Sequence, residues 1–374
     1  MKELGIYIHI PFCKRKCAYC DFISFDNKSD SINEYIDAIK KEIITNKEKI
    51  KTKEYVVTTI YIGGGTPSFI NSSFIVEVLN VVKEVFNVSK NAEITIEVNP
   101  GTVTVGKLQD YKEAGINRLS IGLQETDDNL LKLIGRIHTF DDFLETYKLA
   151  RKVGFNNINV DLMIGLPKQT IENVKKSLAR IVELNPEHIS VYSLIVEDGT
   201  KMEKLISGGI LELPEEELER QEYWTVKEKL EEAGYKHYEI SNFAKEGFES
   251  KHNLNCWLQK EYLGFGVAAH SYFNGIRYSN VETLKEYLDG KECIIHEVQD
   301  EESKMKEYML LGLRKIDGVK ISEFKNKFQD NPIIIFKKEL NKLVEEDLLE
   351  VDLDNIRLTN KGIDLANIVW EEFV

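Results

Sequence analysis

Three cysteines, Cys13, Cys17 and Cys20, lie within eight residues near the start of the chain. They follow an apolar segment, residues 4–10, that predicts a buried strand. Thiolates at this density indicate an inorganic ligand. A structural zinc ion or an ordinary iron–sulfur cluster takes four protein ligands. Three cysteines in the spacing Cys-x3-Cys-x2-Cys therefore predict a [4Fe–4S] cluster that keeps one iron open for another molecule.

Two ligand types remain open for this loop. The fourth iron of a cluster can be chelated by the amino and carboxylate groups of S-adenosylmethionine, and the cofactors then carry out the chemistry while the protein orients them. The alternative is zinc, because His9 lies four residues before Cys13 and a Cys3His site is conceivable. That alternative would make the chain a zinc-stabilised interaction protein.

Composition limits the class of protein. The 374 residues carry a formal net charge of −14, which disfavours a nucleic-acid binder because neutralising phosphates takes clustered Lys and Arg. No run of ~18 apolar residues exists, so no membrane span is expected. A strand begins almost at the first residue, which leaves no room for a secretory signal and favours a cytoplasmic protein. Five cysteines, three of them clustered, do not suggest disulfides.

Strands and helices are predicted to alternate through the first two-thirds of the chain. The predicted strands are residues 4–10, 56–62, 92–98, 116–122, 157–164 and 188–194, and the predicted helices are 31–49, 72–86, 103–114, 140–153, 170–184 and 214–233. Such alternation implies parallel strands with right-handed crossovers. Either an open doubly wound sheet or an incomplete (β/α) barrel would satisfy it.

The residues at the strand ends favour the barrel. Each predicted strand runs into a polar or glycine-rich cluster, at residues 13–20, 63–67, 97–100, 120–124, 161–167 and 192–194. In barrels the active site is assembled from the carboxyl ends of many strands. We therefore expect residues 1–234 to form a partial barrel, 235–299 an irregular connecting region, and 300–374 a small, mostly helical, winged-helix-like domain.

The sequence around the cysteines resembles a known family. Tyr7-Ile8-His9-Ile10-Pro11-Phe12-Cys13, with Cys17, Tyr19-Cys20 and Asp21-Phe22, is similar to the radical S-adenosylmethionine superfamily. The resemblance is closest to the oxygen-independent coproporphyrinogen III oxidase branch and extends through residues 136–139, 161–167, 252–257 and the C-terminal module. It implies a partial (β/α)6 barrel, a HemN-type C-terminal domain, a [4Fe–4S] cluster and bound S-adenosylmethionine.

The same resemblance implies individual roles. Cys13, Cys17 and Cys20 would ligate the cluster, and the implied S-adenosylmethionine contacts are Tyr7, Gly64, Gly65, Thr66, Glu97, Gln124, Arg136 and Asp161. Glycines permit close backbone approach, and a guanidinium fork suits a carboxylate. Each residue also has an ordinary alternative: the glycines could form a turn, and Arg136 could cap a helix or pair on the surface.

Two functions occur in this branch. The oxidase decarboxylates two propionates of coproporphyrinogen; it carries a fourth cysteine where this chain has Phe22, and a long arm where twelve residues precede Cys13. Both departures favour the sister group, the HemW haem chaperones, and make the oxidase the alternative. The resemblance implies haem as a further ligand, with haem-acceptor proteins such as respiratory enzymes and an electron donor as partners. Peripheral membrane contact with such an acceptor stays open.

One further motif concerns haem. His252-Asn253-Leu254-Asn255-Cys256-Trp257 resembles the HemW signature His-Asn-x-x-Tyr-Trp, with Cys256 in place of the tyrosine. Imidazole and thiolate both serve as axial haem ligands, so His252 is the first candidate ligand and Cys256 the second. The ordinary alternatives are a hydrogen-bonded structural histidine and a small buried cysteine.

Overall fold

The computed structural model describes residues 1–26, 28–50 and 52–374. Its first part alternates strands and helices: β1 (Lys2–Ile10), α1 (Ile32–Lys49), β2 (Tyr55–Gly64), α2 (Ser72–Val85), β3 (Val88–Val98), α3 (Val105–Glu113), β4 (Arg118–Gln124), α4 (Asp128–Leu133), α5 (Phe140–Val153), β5 (Ile158–Ile164), α6 (Ile171–Leu184), β6 (His188–Ser193), α7 (Lys201–Ser207) and α8 (Glu216–Glu232). All six predicted strands and the six predicted helices of this part are present.

The segment 235–299 is not irregular, which corrects the prediction. It contains β7 (Lys236–Glu239), β8 (Asn242–Ala244), α9 (Lys251–Trp257), β9 (Tyr262–Phe265), β10 (His270–Phe273), β11 (Ile276–Ser279), α10 (Leu284–Leu288) and β12 (Ile294–Val298). Strands of three to five residues are too short to show a clear alternation in the sequence. The division of the chain at residues 234 and 299 stays a prediction.

Strand order identifies the architecture. The twelve-stranded sheet runs β12-β11-β10-β9-β1-β2-β3-β4-β5-β6-β8-β7, and β1 to β6 pair in parallel and in chain order. A doubly wound sheet reverses its order at a switch point, whereas a barrel winds in one direction. The predicted partial (β/α)6 barrel is confirmed. It is an open sheet, because β1 pairs on its outer edge with β9 and β6 pairs on its outer edge with β8.

The two faces of the parallel strands differ in polarity. On one face, residues such as Ile6, Ile60 and Val160 pack against the helices in the main hydrophobic core. The opposite face carries polar side chains at alternate positions: Tyr7, Thr59, Tyr61, Glu97, Arg118, Ser120, Asn159, Asp161, His188 and Ser190. Parallel sheets are ordinarily apolar on both faces. The polar inner face therefore marks the interior of this partial barrel as the place for a polar ligand.

The C-terminal part is mostly helical, as predicted. Its elements are α11 (Glu301–Gly312), β13 (Val319–Lys320), α12 (Ile321–Phe328), α13 (Pro332–Ile335), α14 (Lys337–Glu345), β14 (Leu349–Val351), β15 (Asn355–Leu358), α15 (Asn360–Asp364) and α16 (Ala366–Glu371). A second hydrophobic core, which includes Met309, Phe324 and Val369, holds them together. No helix in the described part of the chain is both long and apolar enough to cross a membrane.

Candidate functional site

The cysteine loop begins where β1 ends and is tied down at several points. The amide of Cys13 donates to the carbonyl of Phe25 (3.0 Å), and the amide of Phe25 donates to the carbonyl of Pro11 (2.6 Å). Further along, the amide of Ala18 donates to the carbonyl of Ile134 (3.0 Å). The side chains of the three cysteines remain partly exposed. The loop is thus fixed by its backbone while its sulfurs stay available.

Burial disfavours bare thiolates in this loop. It raises the pKa of the Cys13 thiol, and burial together with the charge of Cys17 raises the pKa of Cys20 to about 11. A bound metal group would reverse this, because a coordinating thiol is deprotonated. Among the described residues, no three Cys, His, Asp or Glu side chains converge as on a single metal ion. Each cysteine of a [4Fe–4S] cube binds a different iron, and this ligation stays a prediction.

The zinc alternative depended on His9, and both nitrogens of that ring are occupied. Nε2 donates to the carbonyl of Ile23 (2.8 Å), which fixes Nδ1 as the acceptor of the Tyr7 hydroxyl (2.9 Å). Burial lowers the pKa of His9 to about 4, so the ring is neutral at physiological pH. Binding zinc would break one of these hydrogen bonds, and the observation that favoured zinc therefore loses its force.

A chain of hydrogen bonds links the loop to the ends of three strands. The hydroxyl of Thr66 donates to the sulfur of Cys13 (3.4 Å), and Nδ2 of Asn99 donates to that hydroxyl (2.9 Å). Arg136 donates from one terminal nitrogen to Oδ1 of Asn99 (3.0 Å) and from the other to the hydroxyl of Tyr19 (2.8 Å). Its Nε is buried without a hydrogen-bond partner in the part of the chain described.

Besides Cys13, this network joins two residues that the sequence predicted and two that it did not. Thr66 and Arg136 were predicted contacts, and the structure brings both to the carboxyl ends of the strands. Asn99 and Tyr19 were missed as site residues. The signal for Asn99 was its place in the polar cluster after β3, at residues 97–100. A neutral amide carries too little chemistry to be singled out there.

Two carboxyl groups lie on the inner face beside this network. Glu97 accepts hydrogen bonds from the hydroxyl of Tyr61 (2.9 Å) and the amide of Gly64 (3.1 Å). Burial, with the charge of Asp161, raises the pKa of Glu97 to about 7. Burial also raises the pKa of Asp161, which accepts from the hydroxyl of Ser120 (3.2 Å). Polar groups of this kind suit the amino and hydroxyl groups of a cofactor.

The glycines after β2 have a packing reason of their own. Gly64 has φ +110°, and a Cβ there would lie 2.6 Å from the ring of His9. A Cβ on Gly65 would lie 2.8 Å from the carbonyl carbon of Pro11 and 3.1 Å from the sulfur of Cys13. The turn after β2 therefore fits against the cysteine loop and His9 only because residues 64 and 65 have no side chain. Direct contact of these glycines with a cofactor stays a prediction, as does that of Gln124, buried at the end of β4.

The two candidate haem ligands lie one turn apart on α9. His252 is buried, its Nδ1 is 3.0 Å from the hydroxyl of Thr59, and its ring lies 5.3 Å from that of Tyr61. Burial and the positive charge of Arg118 lower the pKa of His252 to about 4. Burial raises the pKa of Cys256 to about 11. Thr59 lies in the middle of β2, so His252 is nearer the centre of the sheet than the carboxyl strand ends that hold the cysteine loop. Haem ligation by His252 or Cys256 stays a prediction.

An open, singly wound (β/α)6 sheet with a three-cysteine loop after its first strand defines the radical S-adenosylmethionine class. Residues 7–181 match the Radical SAM superfamily model, and residues 299–365 match the HemN C-terminal domain model. Within this class the chain belongs to the HemW family. It is 40% identical to the heme chaperone HemW of Bacillus subtilis over 98% of both chains. It is 37% identical to that of Lactococcus lactis over 100% of this chain and 98% of the relative.

A solved structure supports the fold. The coproporphyrinogen III oxidase HemN from Escherichia coli, a radical SAM enzyme, superposes with a TM-score of 0.85 at 24% identity. The match covers 100% of this chain and 90% of that one. At this identity the likeness shows a shared fold, and the family assignment rests on the HemW relatives.

Proposed function

We propose that this chain is a haem chaperone, which binds haem and transfers it to an acceptor protein with the help of a [4Fe–4S] cluster and S-adenosylmethionine. The observation that carries the proposal is the 40% identity to a heme chaperone HemW across 98% of both chains. The local sequence supports it, because Phe22, 61% exposed, stands where the oxidases have a fourth cysteine. The proposed acceptors include respiratory enzymes, and the proposed location is the cytoplasm.

The residues on the inner face fit the two cofactors. The cysteine loop offers three sulfurs, one of which already accepts a hydrogen bond from Thr66. The unpartnered Nε–H of Arg136 is a donor for a carboxylate, and Glu97 is an acceptor for an ammonium group. When bound, the cluster supplies S-adenosylmethionine with one electron. In this proposal the chain's own residues hold, orient and enclose that pair.

The test compares haem binding and oxidase turnover on one anaerobically reconstituted preparation. Haemin should give a stable Soret shift, and coproporphyrinogen III with reductant and S-adenosylmethionine should give no protoporphyrinogen. Turnover would establish the oxidase and contradict the chaperone. The His252→Ala and Cys256→Ala variants locate the haem ligand, with the exposed His296→Ala as the matched control. A Soret shift lost only in His252→Ala would place the ligand on α9.

A further inference from the structure

Three consecutive cations, Lys14, Arg15 and Lys16, lie between the first two cysteines of the loop, and all three are exposed. We propose that this cationic face is the docking surface for an acidic, one-electron donor protein that reduces the cluster. The inference depends on the cluster of the proposed function and does not depend on haem. The electron passes from donor to cluster; the donor is oxidised by one electron, the cluster is reduced by one, and no bond is made or broken.

The charges of this face are not neutralised locally. Among the described residues, Lys14 and Arg15 have no hydrogen-bond or ion-pair partner, and the Nζ of Lys16 donates only to the carbonyl of Phe22 (3.0 Å). Some other surface lysines do pair with carboxylates, as Lys40 does with Glu77 (2.9 Å). In a chain of net charge −14, three unpaired cations in a row create a local positive field. Such a field attracts an acidic partner and raises its association rate.

The loop also holds these cations in a defined place. Its backbone is fixed at Cys13 by Phe25 and at Ala18 by Ile134. The carbonyl of Phe22 accepts from both Lys16 and the hydroxyl of Ser24 (3.2 Å). A donor bound to this face would lie against the residues that hold the cluster. The side of the loop behind it, at Ala18, is buried against Ile134 and is closed to a partner.

The first experiment measures the dissociation constant of the reconstituted protein for flavodoxin, used here as an acidic flavin-protein probe. We expect the affinity to fall by roughly tenfold or more between about 25 mM and about 300 mM NaCl, because salt screens exposed charges. The variant Lys14→Gln/Arg15→Gln/Lys16→Gln should bind with a similarly reduced affinity at low salt and lose most of the salt dependence. A wild-type affinity that does not respond to salt would overturn the proposal.

A matched control separates local charge from net charge. Lys325→Gln/Lys337→Gln/Lys338→Gln removes the same three charges from exposed positions on the C-terminal helices α12 and α14. This variant should bind flavodoxin as the wild type does, and an equal loss of affinity in it would contradict the proposal. Iron and sulfide content is measured for each variant. If the loop variant loses its cluster, carbodiimide cross-linking of the wild type to flavodoxin decides: cross-links at Lys14 or Lys16 support the face, and cross-links confined to other lysines overturn it.

Haemin titration of the same variants keeps the two proposals apart. If the loop variant keeps flavodoxin affinity and loses haemin affinity, the cations serve the propionates of haem and the donor proposal is overturned. If the wild type binds flavodoxin in a salt-dependent way and shows no haemin binding, the docking surface is supported while the chaperone function fails.

Discussion

Among single residues, Asn99 makes the most consequential contacts. Its Nδ2 donates to the hydroxyl of Thr66, and its Oδ1 accepts from Arg136. One side chain thus orients both the hydroxyl that reaches the sulfur of Cys13 and the guanidinium proposed to bind a carboxylate. The amide nitrogen and the amide oxygen thus make different contacts, and a substitution can remove one contact while keeping the other.

The Asn99→Asp variant separates those contacts, because a carboxylate still accepts from Arg136 but cannot donate to Thr66. The Thr66 hydroxyl would then donate to the new carboxylate and release the sulfur of Cys13. A hydrogen bond to the sulfur stabilises the reduced cluster relative to the oxidised one by ~1 kcal/mol. Its loss should therefore lower the reduction potential of the cluster by about 40 mV. An EPR-monitored redox titration measures this. Thr66→Val should give the same direction of shift, and exposed Thr45→Val none; an unchanged potential in Asn99→Asp would show that the hydrogen bond does not tune the cluster.

His237 provides a residue-level test away from the site. Its ring stacks on Phe243 at 4.4 Å, and burial lowers its pKa from 6.5 to about 4. Because the unfolded state binds the extra proton between those values, the stability that depends on neutral His237 falls as the pH drops through 6.5. Between about pH 7.5 and about pH 5, the free energy of unfolding measured in urea should fall by about 2 kcal/mol more for the wild type than for His237→Phe. Phe143→Leu, at a buried ring that stacks on Phe140 and not on a histidine, is the control, and its effect should not change with pH. Equal pH profiles for wild type and His237→Phe would refute the assignment.

At the level of elements, long apolar segments were predictable and short ones were not. Strands β1 to β6 were found because each is a run of apolar residues that ends in a polar or glycine cluster. Helix α4 has six residues, fewer than two turns, and shows no usable periodicity. In the C-terminal part, Phe336 lies in the second hydrophobic core and separates α13 from α14, a break that the sequence pattern does not reveal.

The site followed the same division. The cysteine cluster could be proposed from its spacing, and the polar strand ends from the fact that they meet in any barrel, whereas the roles of Gly64, Gly65 and Arg136 came from the family resemblance. Asn99 and Tyr19 could not be proposed, since their roles come from contacts across loops that sequence spacing does not reveal. The burial of His252 against Thr59 was equally hidden, because one turn of α9 gives no indication of which strand it packs on.

For the whole molecule, several contacts join the barrel to the C-terminal part, and one of them is made by a guanidinium. Arg314 lies between the rings of Trp257 and Trp370, 4.4 Å and 4.7 Å from their centres. Next to it, the amide of Ile240 donates to the carbonyl of Arg314 (3.1 Å). Trp257 is the last residue of the HemW-like motif, so the segment that carries His252 is also among those that contact the C-terminal part.

This arrangement predicts energetic coupling between the two parts. Trp257→Ala and Trp370→Ala should each destabilise the protein, and the double variant should lose less than the sum, by on the order of 1 kcal/mol. Both rings act through the same cation, so removing the second costs less once the first is gone. Denaturant unfolding gives the values. The same cycle with Trp224 in place of Trp257 is the control, because Trp224 bonds to Asp364 instead; strictly additive losses for Trp257 and Trp370 would mean that Arg314 does not couple them.

The pairing of β1 with both β2 and β9 has a consequence for biosynthesis. Gly5 lies opposite Tyr262, so during synthesis the outer edge of β1 stays unpaired until β9 emerges. At synthesis rates of about 5–20 residues per second, the nascent chain exposes that edge for on the order of ten seconds or more. The cysteine loop directly after β1 is displayed over the same interval. Insertion of the iron–sulfur group can thus precede completion of the sheet. The unpaired edge of β1 is also the part of the nascent chain that a chaperone would have to protect from pairing with other chains.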